Sequence, residues 1–206
     1  MTTISESSFV VAITGGIACG KSEVKKIFLE NGFTFFDADK RSHLYLGKRY
    51  STYKKIINKF GISILNEDKT ISKRKLAERI FKNNEERKIL NNLIHPLIEK
   101  DIKNWINYCR INGLWGVAEI PLMYECNLDK LSWDKIIIVH AKKNIVIGRL
   151  IKRDLTKNEA VLRINAQMNI NDKCNKSDIL IDGNKNLSFL NQSVINLINN
   201  WSHERK

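Results

Sequence analysis

The chain has 206 residues, 43% hydrophobic and 28% charged, enough for one α/β body with a sizeable core and inserted pieces. No apolar run approaches the roughly 20 residues of a membrane span, and residues 1–8 carry no signal-peptide pattern, so a cytoplasmic protein with no membrane partner and a frayed first eight residues is expected. Thirty-five Lys and Arg against 22 Asp and Glu leave +13, which favours anionic partners; the excess is spread along the chain without an aromatic-interleaved stripe, so no nucleic-acid partner is expected.

The run Phe9 to Thr14 is continuous and β-branched and predicts a strand covered on both faces. Gly15, Gly20, Lys21 and Ser22 then spell GxxxxGKS, a phosphate-binding loop. Its glycines let the backbone of Gly15, Gly16, Ile17, Ala18, Cys19 and Gly20 curl around phosphate oxygens. Lys21 reaches the outer phosphates, Ser22 can hold Mg²⁺, and Glu23 adds a backbone N–H. A helix follows with Val24, Ile27 and Phe28 on one side, stopped at Asn31-Gly32. Phe33 to Phe36 reads as a second strand that delivers Asp37-Ala38-Asp39 to its carboxyl end, where α/β sheets place ligands.

From His43 to Asn112 the pattern is helical, with no competing strand: Thr52 to Phe60, Lys73 to Phe81, and Glu85 to Ile111 with a kink or new start at His95-Pro96. So long an insertion between strands suggests an acceptor-binding module. Trp115 to Ile120, Lys135 to His140 and Asp178 to Asp182 read as strands three to five, and the alternation with helices predicts a parallel sheet. Helices are expected over Asn144 to Arg153, over Asn158 to Met168 behind a Thr156–Glu159 capping box, and over Leu187 to Trp201. Cys19, Cys109, Cys126 and Cys174 are far apart and show neither CxxC nor zinc spacing, so reduced thiols are expected. Cys19, at a helix N-terminus, is either an oxidisable thiol of lowered pKa or a small residue tolerated where only backbone matters.

Phosphoryl transfer needs a positioned acceptor, a manager for its proton, and cations over the moving group. Asp39 can take a hydroxyl's proton or bind Mg²⁺ through water, while Asp37 is either its helper or the N-cap of a helix beginning at Lys40. Arg149 with Arg153, and Arg163 with Gln167, are each four apart, so on helices each pair shares a face. They form either a phosphate-gripping lid or an exposed, salt-bridged surface.

The segments AITGGIACGKS, FFDADK, KFGISIL, LNNLIHPLI, EIPLMYE, GRLIKRD, RINAQ and KSDILID together resemble the dephospho-CoA kinase family. The resemblance implies a P-loop kinase core with a five-stranded parallel sheet (residues 8–42, 114–146 and 178–206). It also implies a helical acceptor domain (43–113) and a helical lid (147–177). The implied activity moves the ATP γ-phosphate to the ribose 3′-hydroxyl of dephospho-CoA, with Mg²⁺, in a monomer or weak homo-oligomer. On that likeness Asp39 is the catalytic aspartate beside Asp37, and Arg149, Arg153, Arg163 and Gln167 belong to the lid, Arg149 as the γ-phosphate clamp. His95, Pro121, Leu122 and Glu125 shape the substrate site, although for His95 a core role at the kink is equally compatible.

The chain departs from that pattern at Ala18 and Cys19 (usually Gly and Ser), Glu23 (Thr), Ser72-Lys73 (Asp-Arg) and Gly183, where an Asn near the adenine is common. Three alternatives remain on the residues alone: a nucleic-acid-stimulated P-loop ATPase, a nucleoside monophosphate kinase, and a GTP switch. The carboxylate suited to a hydroxyl acceptor disfavours the second, and the lack of an NKxD sequence disfavours the third.

Overall fold

The computed structural model describes residues 8–204, so all of the expected N-terminal tail except Ser8 lies outside the described residues. Ser8 accepts hydrogen bonds from Arg110 at its carbonyl and its hydroxyl. In chain order the elements are β1 (Phe9–Gly15), α1 (Lys21–Glu30), β2 (Thr34–Asp37), α2 (Ala38–Leu44), α3 (Ser51–Phe60), α4 (Lys73–Lys82), α5 (Asn84–Ile111), β3 (Trp115–Glu119), β4 (Lys135–His140), α6 (Lys143–Ile151), α7 (Lys157–Asn165), α8 (Ile170–Cys174), β5 (Ile179–Asp182) and α9 (Leu187–Glu204). Internal contacts divide them into two units, one of residues up to Asp37 together with those from Lys103 onward, the other Ala38–Ile102.

In the first unit five parallel strands stand in the order β2-β3-β1-β4-β5. The central strand, β1, is buried along its whole length, as its unbroken apolar sequence requires. Register puts Ile13 and Asp37 on either side of Glu119, and Gly15 opposite Val139, so the loop after β1 emerges among strand ends carrying polar groups. Phe9, Phe28, Phe33, Trp115 and Trp201 form a chain of ring contacts that joins α1 and α9 to the sheet, with centroids 4.8 to 6.1 Å apart. Burying each such ring contributes about 1.5–3 kcal/mol, so this cluster stiffens the base from which the loop rises.

The second unit is helical, apart from an isolated antiparallel bridge between Leu65 and Ile71 that the sequence did not signal. Thr52, Ile56 and Phe60, spaced by four, form the buried face of α3, and Ser72 caps α4 by accepting the Lys75 N–H. Of the expected kink or new start at Pro96, the new start is absent: α5 runs for 28 residues with Pro96 inside it. Proline removes one backbone bond there, but Leu90, Ile94, Ile98 and Ile102 are buried at intervals of four across it. That stripe buries one face of both halves of the helix.

Three other boundaries differ from expectation with consequences for the site. Helix α2 begins at Ala38, directly after β2, so Asp37 ends the strand and Asp39 sits in the first helical turn, where its charge suits the helix dipole. Asp37 is therefore not the cap of a helix starting at Lys40. Helix α6 stops at Ile151 and α7 at Asn165, so Arg153 and Gln167 fall in turns and share no helical face with Arg149 and Arg163. A short helix, α8, also appears where none was expected.

Candidate active site

The phosphate loop occupies the junction of β1 and α1. Gly15 has φ of +136°, and a Cβ there would lie 2.1 Å from the Val139 carbonyl oxygen, so only glycine lets β1 turn this close to β4. Gly20 opens α1 in the left-handed region, and Ala18 adopts φ of 55°. A Cβ in that region costs about 1–2 kcal/mol, so the exchange of glycine for alanine at this position is not neutral for the backbone.

Lys21 is buried, its ammonium donating to the carbonyls of Gly15 at 3.3 Å and Gly16 at 2.8 Å. It thus points back into the curl of the loop. Ser22 and Glu23 are exposed on the first turn of α1. Burial pushes the Cys19 thiol up, outweighing the opposing pull of Lys21 and of backbone donors. Of the two readings of Cys19, this disfavours the thiol of lowered pKa and leaves the small tolerated residue: a buried thiol is desolvated before the dipole can ionise it.

Arg149 bridges two loops, donating to the Ala18 carbonyl at 3.1 Å and the Gly183 carbonyl at 2.7 Å. A Cβ at Gly183 would sit 1.9 Å from the Cys19 carbonyl oxygen, so the absent side chain is what lets the loop after β5 press on the phosphate loop. From the other side Gln167 accepts the Ile17 N–H at 3.0 Å. Beside the loop lies a cavity of about 390 Å³, bordered by Gly16, Ile17, Cys19, Val146, Ile164 and Gln167 among others.

The remaining predicted residues fall on several elements. Arg153 is exposed, Arg163 is half-buried on α7, and Leu122 is half-buried after β3. His95 lies within α5 and Asp39 within α2, both in the helical unit. Pro121 and Glu125 meet through Lys173, whose ammonium donates to the Pro121 carbonyl at 3.0 Å and pairs with Glu125 at 2.8 Å.

Sequence reasoning missed Glu119 and Lys173. Glu119 ends β3 between β1 and β2 and pairs with Lys25 at 3.3 Å. The strand-end rule that singled out Asp37 applies to it equally. Nothing in the sequence marks Lys173 as the one lysine with no exposed surface among the described residues.

Among the described residues no cluster of three or more His, Cys, Asp or Glu could cage a metal ion. The loop offers a hydroxyl at Ser22, and the ends of β2 and β3 offer the carboxylates of Asp37 and Glu119 in register with each other. That oxygen set fits Mg²⁺, which is usually bound by one or two protein oxygens together with substrate phosphates.

The Dephospho-CoA kinase family model matches residues 9–188. The chain belongs to the dephospho-CoA kinase family. A dephospho-CoA kinase of Bacillus licheniformis is 36% identical over 97% of this chain and 100% of its own length. One of Carboxydothermus hydrogenoformans is 34% identical over 93% and 94%. The solved structure of the dephospho-CoA kinase from Campylobacter jejuni covers 97% of this chain and 100% of its own, with a TM-score of 0.70 and 29% identity. The five-stranded parallel sheet with its P-loop is thus a kinase core of this family. No helix among the described residues is long and apolar enough to cross a membrane.

Proposed function

We propose that this chain transfers the γ-phosphoryl group of ATP to the ribose 3′-hydroxyl of dephospho-CoA, the closing step of coenzyme A synthesis. The observation that carries the reading is the Gly15–Ser22 loop with the Lys21 ammonium turned into it, in a chain of this family. Lys21 exchanges its loop carbonyls for the outer phosphates and stabilises charge that develops on the moving phosphoryl group. Ser22 would hold Mg²⁺, with Asp37 and Glu119 as the carboxylates available to it, and the ion when bound would neutralise phosphate charge. Asp39 takes the proton of the attacking hydroxyl, which a phosphate acceptor would not require.

Arg149, already joined to two loops, holds the nucleotide end of the site, and Arg153, Arg163 and Gln167 belong to the proposed lid over 147–177. Residues 43–113 are the proposed acceptor module, with His95 in it and Pro121 and Leu122 bordering the substrate. In support, Ala38–Ile102 carries sixteen Lys and Arg against eight Asp and Glu, a large share of the +13, and the acceptor is a polyanion. We place the enzyme in the cytoplasm, as a monomer or weak homo-oligomer without a nucleic-acid or membrane partner.

The test is incubation with ATP, Mg²⁺ and dephospho-CoA, reading ADP and product mass, with AMP, adenosine and single-stranded DNA in parallel. ADP formed in step with phosphorylated dephospho-CoA is the expected result. ADP released only with AMP, or only with DNA, would overturn the assignment.

A further inference from the structure

The phosphate loop is held on one flank by a polar strap that begins far from it in sequence. Lys173, fully buried on α8, donates to the Pro121 carbonyl at 3.0 Å and sits 2.8 Å from Glu125 Oε1. The same Oε1 accepts the Met168 N–H at 2.8 Å, and the neighbouring residue, Gln167, accepts the Ile17 N–H of the phosphate loop at 3.0 Å. Pro121 in turn accepts from the Thr14 hydroxyl at 3.5 Å, just before Gly15, and the Tyr124 hydroxyl donates to the Lys176 carbonyl at 2.9 Å. Residues 121–125 and 167–176 are thus pinned together, and the pinned pair touches the end of β1 at Thr14 and the loop at Ile17.

The design is a costly one. Glu125 Oε2 is buried with no hydrogen-bond partner among the described residues. Apolar side chains of similar volume often hold two segments together as well as a buried ion pair does. What an apolar pair lacks is an acceptor for the Met168 N–H. We propose that Glu125 is a positioning residue, fixed by Lys173, that sets Gln167 against the Ile17 amide and so preorganises the phosphate loop before nucleotide arrives. This moves Glu125 from the rim of the substrate site to the support of the loop. A loop anchored at the Ile17 amide loses less freedom on binding, which strengthens nucleotide affinity even though that N–H is itself spent on Gln167.

The proposal deepens the functional reading above, but its test needs no acceptor. Two double variants, Glu125→Leu/Lys173→Met and Glu125→Gln/Lys173→Met, both remove the buried charges; only the Gln variant keeps an oxygen for Met168. At matched thermal midpoints, ADP should bind the Leu variant about three- to tenfold more weakly than the Gln variant, the worth of one hydrogen bond. Amide exchange at Ile17 and Met168 should be faster in the Leu variant alone. Equal ADP affinity in the two, or an affinity difference that merely follows their melting, would overturn the proposal. Gln167→Ala, which leaves the ion pair intact, should also speed Ile17 exchange; unaltered exchange would overturn it independently of how the double variants fold. A chain that bound ADP as described yet left dephospho-CoA untouched would sink the functional assignment and leave this one standing.

Discussion

Gly183 shows how a single atom's absence can organise two loops. Its φ is not in the left-handed region, so the requirement is space: the Cys19 carbonyl stands where a Cβ would go. Gly183→Ala should part the loops, loosen the Arg149 bridge, cost about 1–3 kcal/mol of stability and weaken ATP binding, read by denaturant unfolding and nucleotide titration. Unchanged values would show that the close approach is dispensable. Asp39 is argued from chemistry and from its place in the first turn of α2, two residues beyond the Asp37–Glu119 register pair. Asp39→Asn should cut turnover by about 10² to 10⁴ while ADP affinity survives, because the amide keeps the shape and loses the base. Turnover equal to the parent's would remove Asp39 from the role. Cys19 teaches a smaller lesson: its place beside a helix start left two readings open, and burial favours the unreactive one.

At the scale of elements, local chemistry was most legible where a short motif closes on itself. The capping box is the clearest case. Thr156 accepts the Glu159 N–H at 3.2 Å, and the Glu159 carboxylate accepts the Thr156 N–H at 2.8 Å, as the four-residue pattern predicted. Thr156→Ala should cost about 1 kcal/mol and speed amide exchange through α7; a shift within error on both measures would mean that the cap is idle. Elements set by long-range packing were misread. Pro96 has the local marks of a helix start, yet α5 continues through it, with an apolar stripe buried on both sides. The ends of α6 and α7 were drawn too far along the chain, and with them a shared face for each arginine pair, because no glycine or proline marks where those helices stop.

For the whole molecule, the net charge of +13 acquires meaning from its distribution, since the helical unit holds twice as many Lys and Arg as Asp and Glu. Raising salt from about 0.1 M to 1 M shortens the screening length from about 10 Å to 3 Å. KM for dephospho-CoA should then rise about three- to tenfold while the melting temperature changes little, because long-range attraction of a polyanion is screened and core packing is not. A KM indifferent to salt would mean that the charge serves only solubility. The amino-acid sequence by itself determined the phosphate loop, the five strands and the family, since these depend on glycine spacing, apolar runs and residues that act where the chain puts them locally. Only the tertiary structure decided that Lys173 is buried against Glu125, that Gln167 meets Ile17, and that Gly183 lies under Cys19. Those partners are 48 to 164 positions apart, and no local pattern encodes which distant groups a folded core will desolvate together.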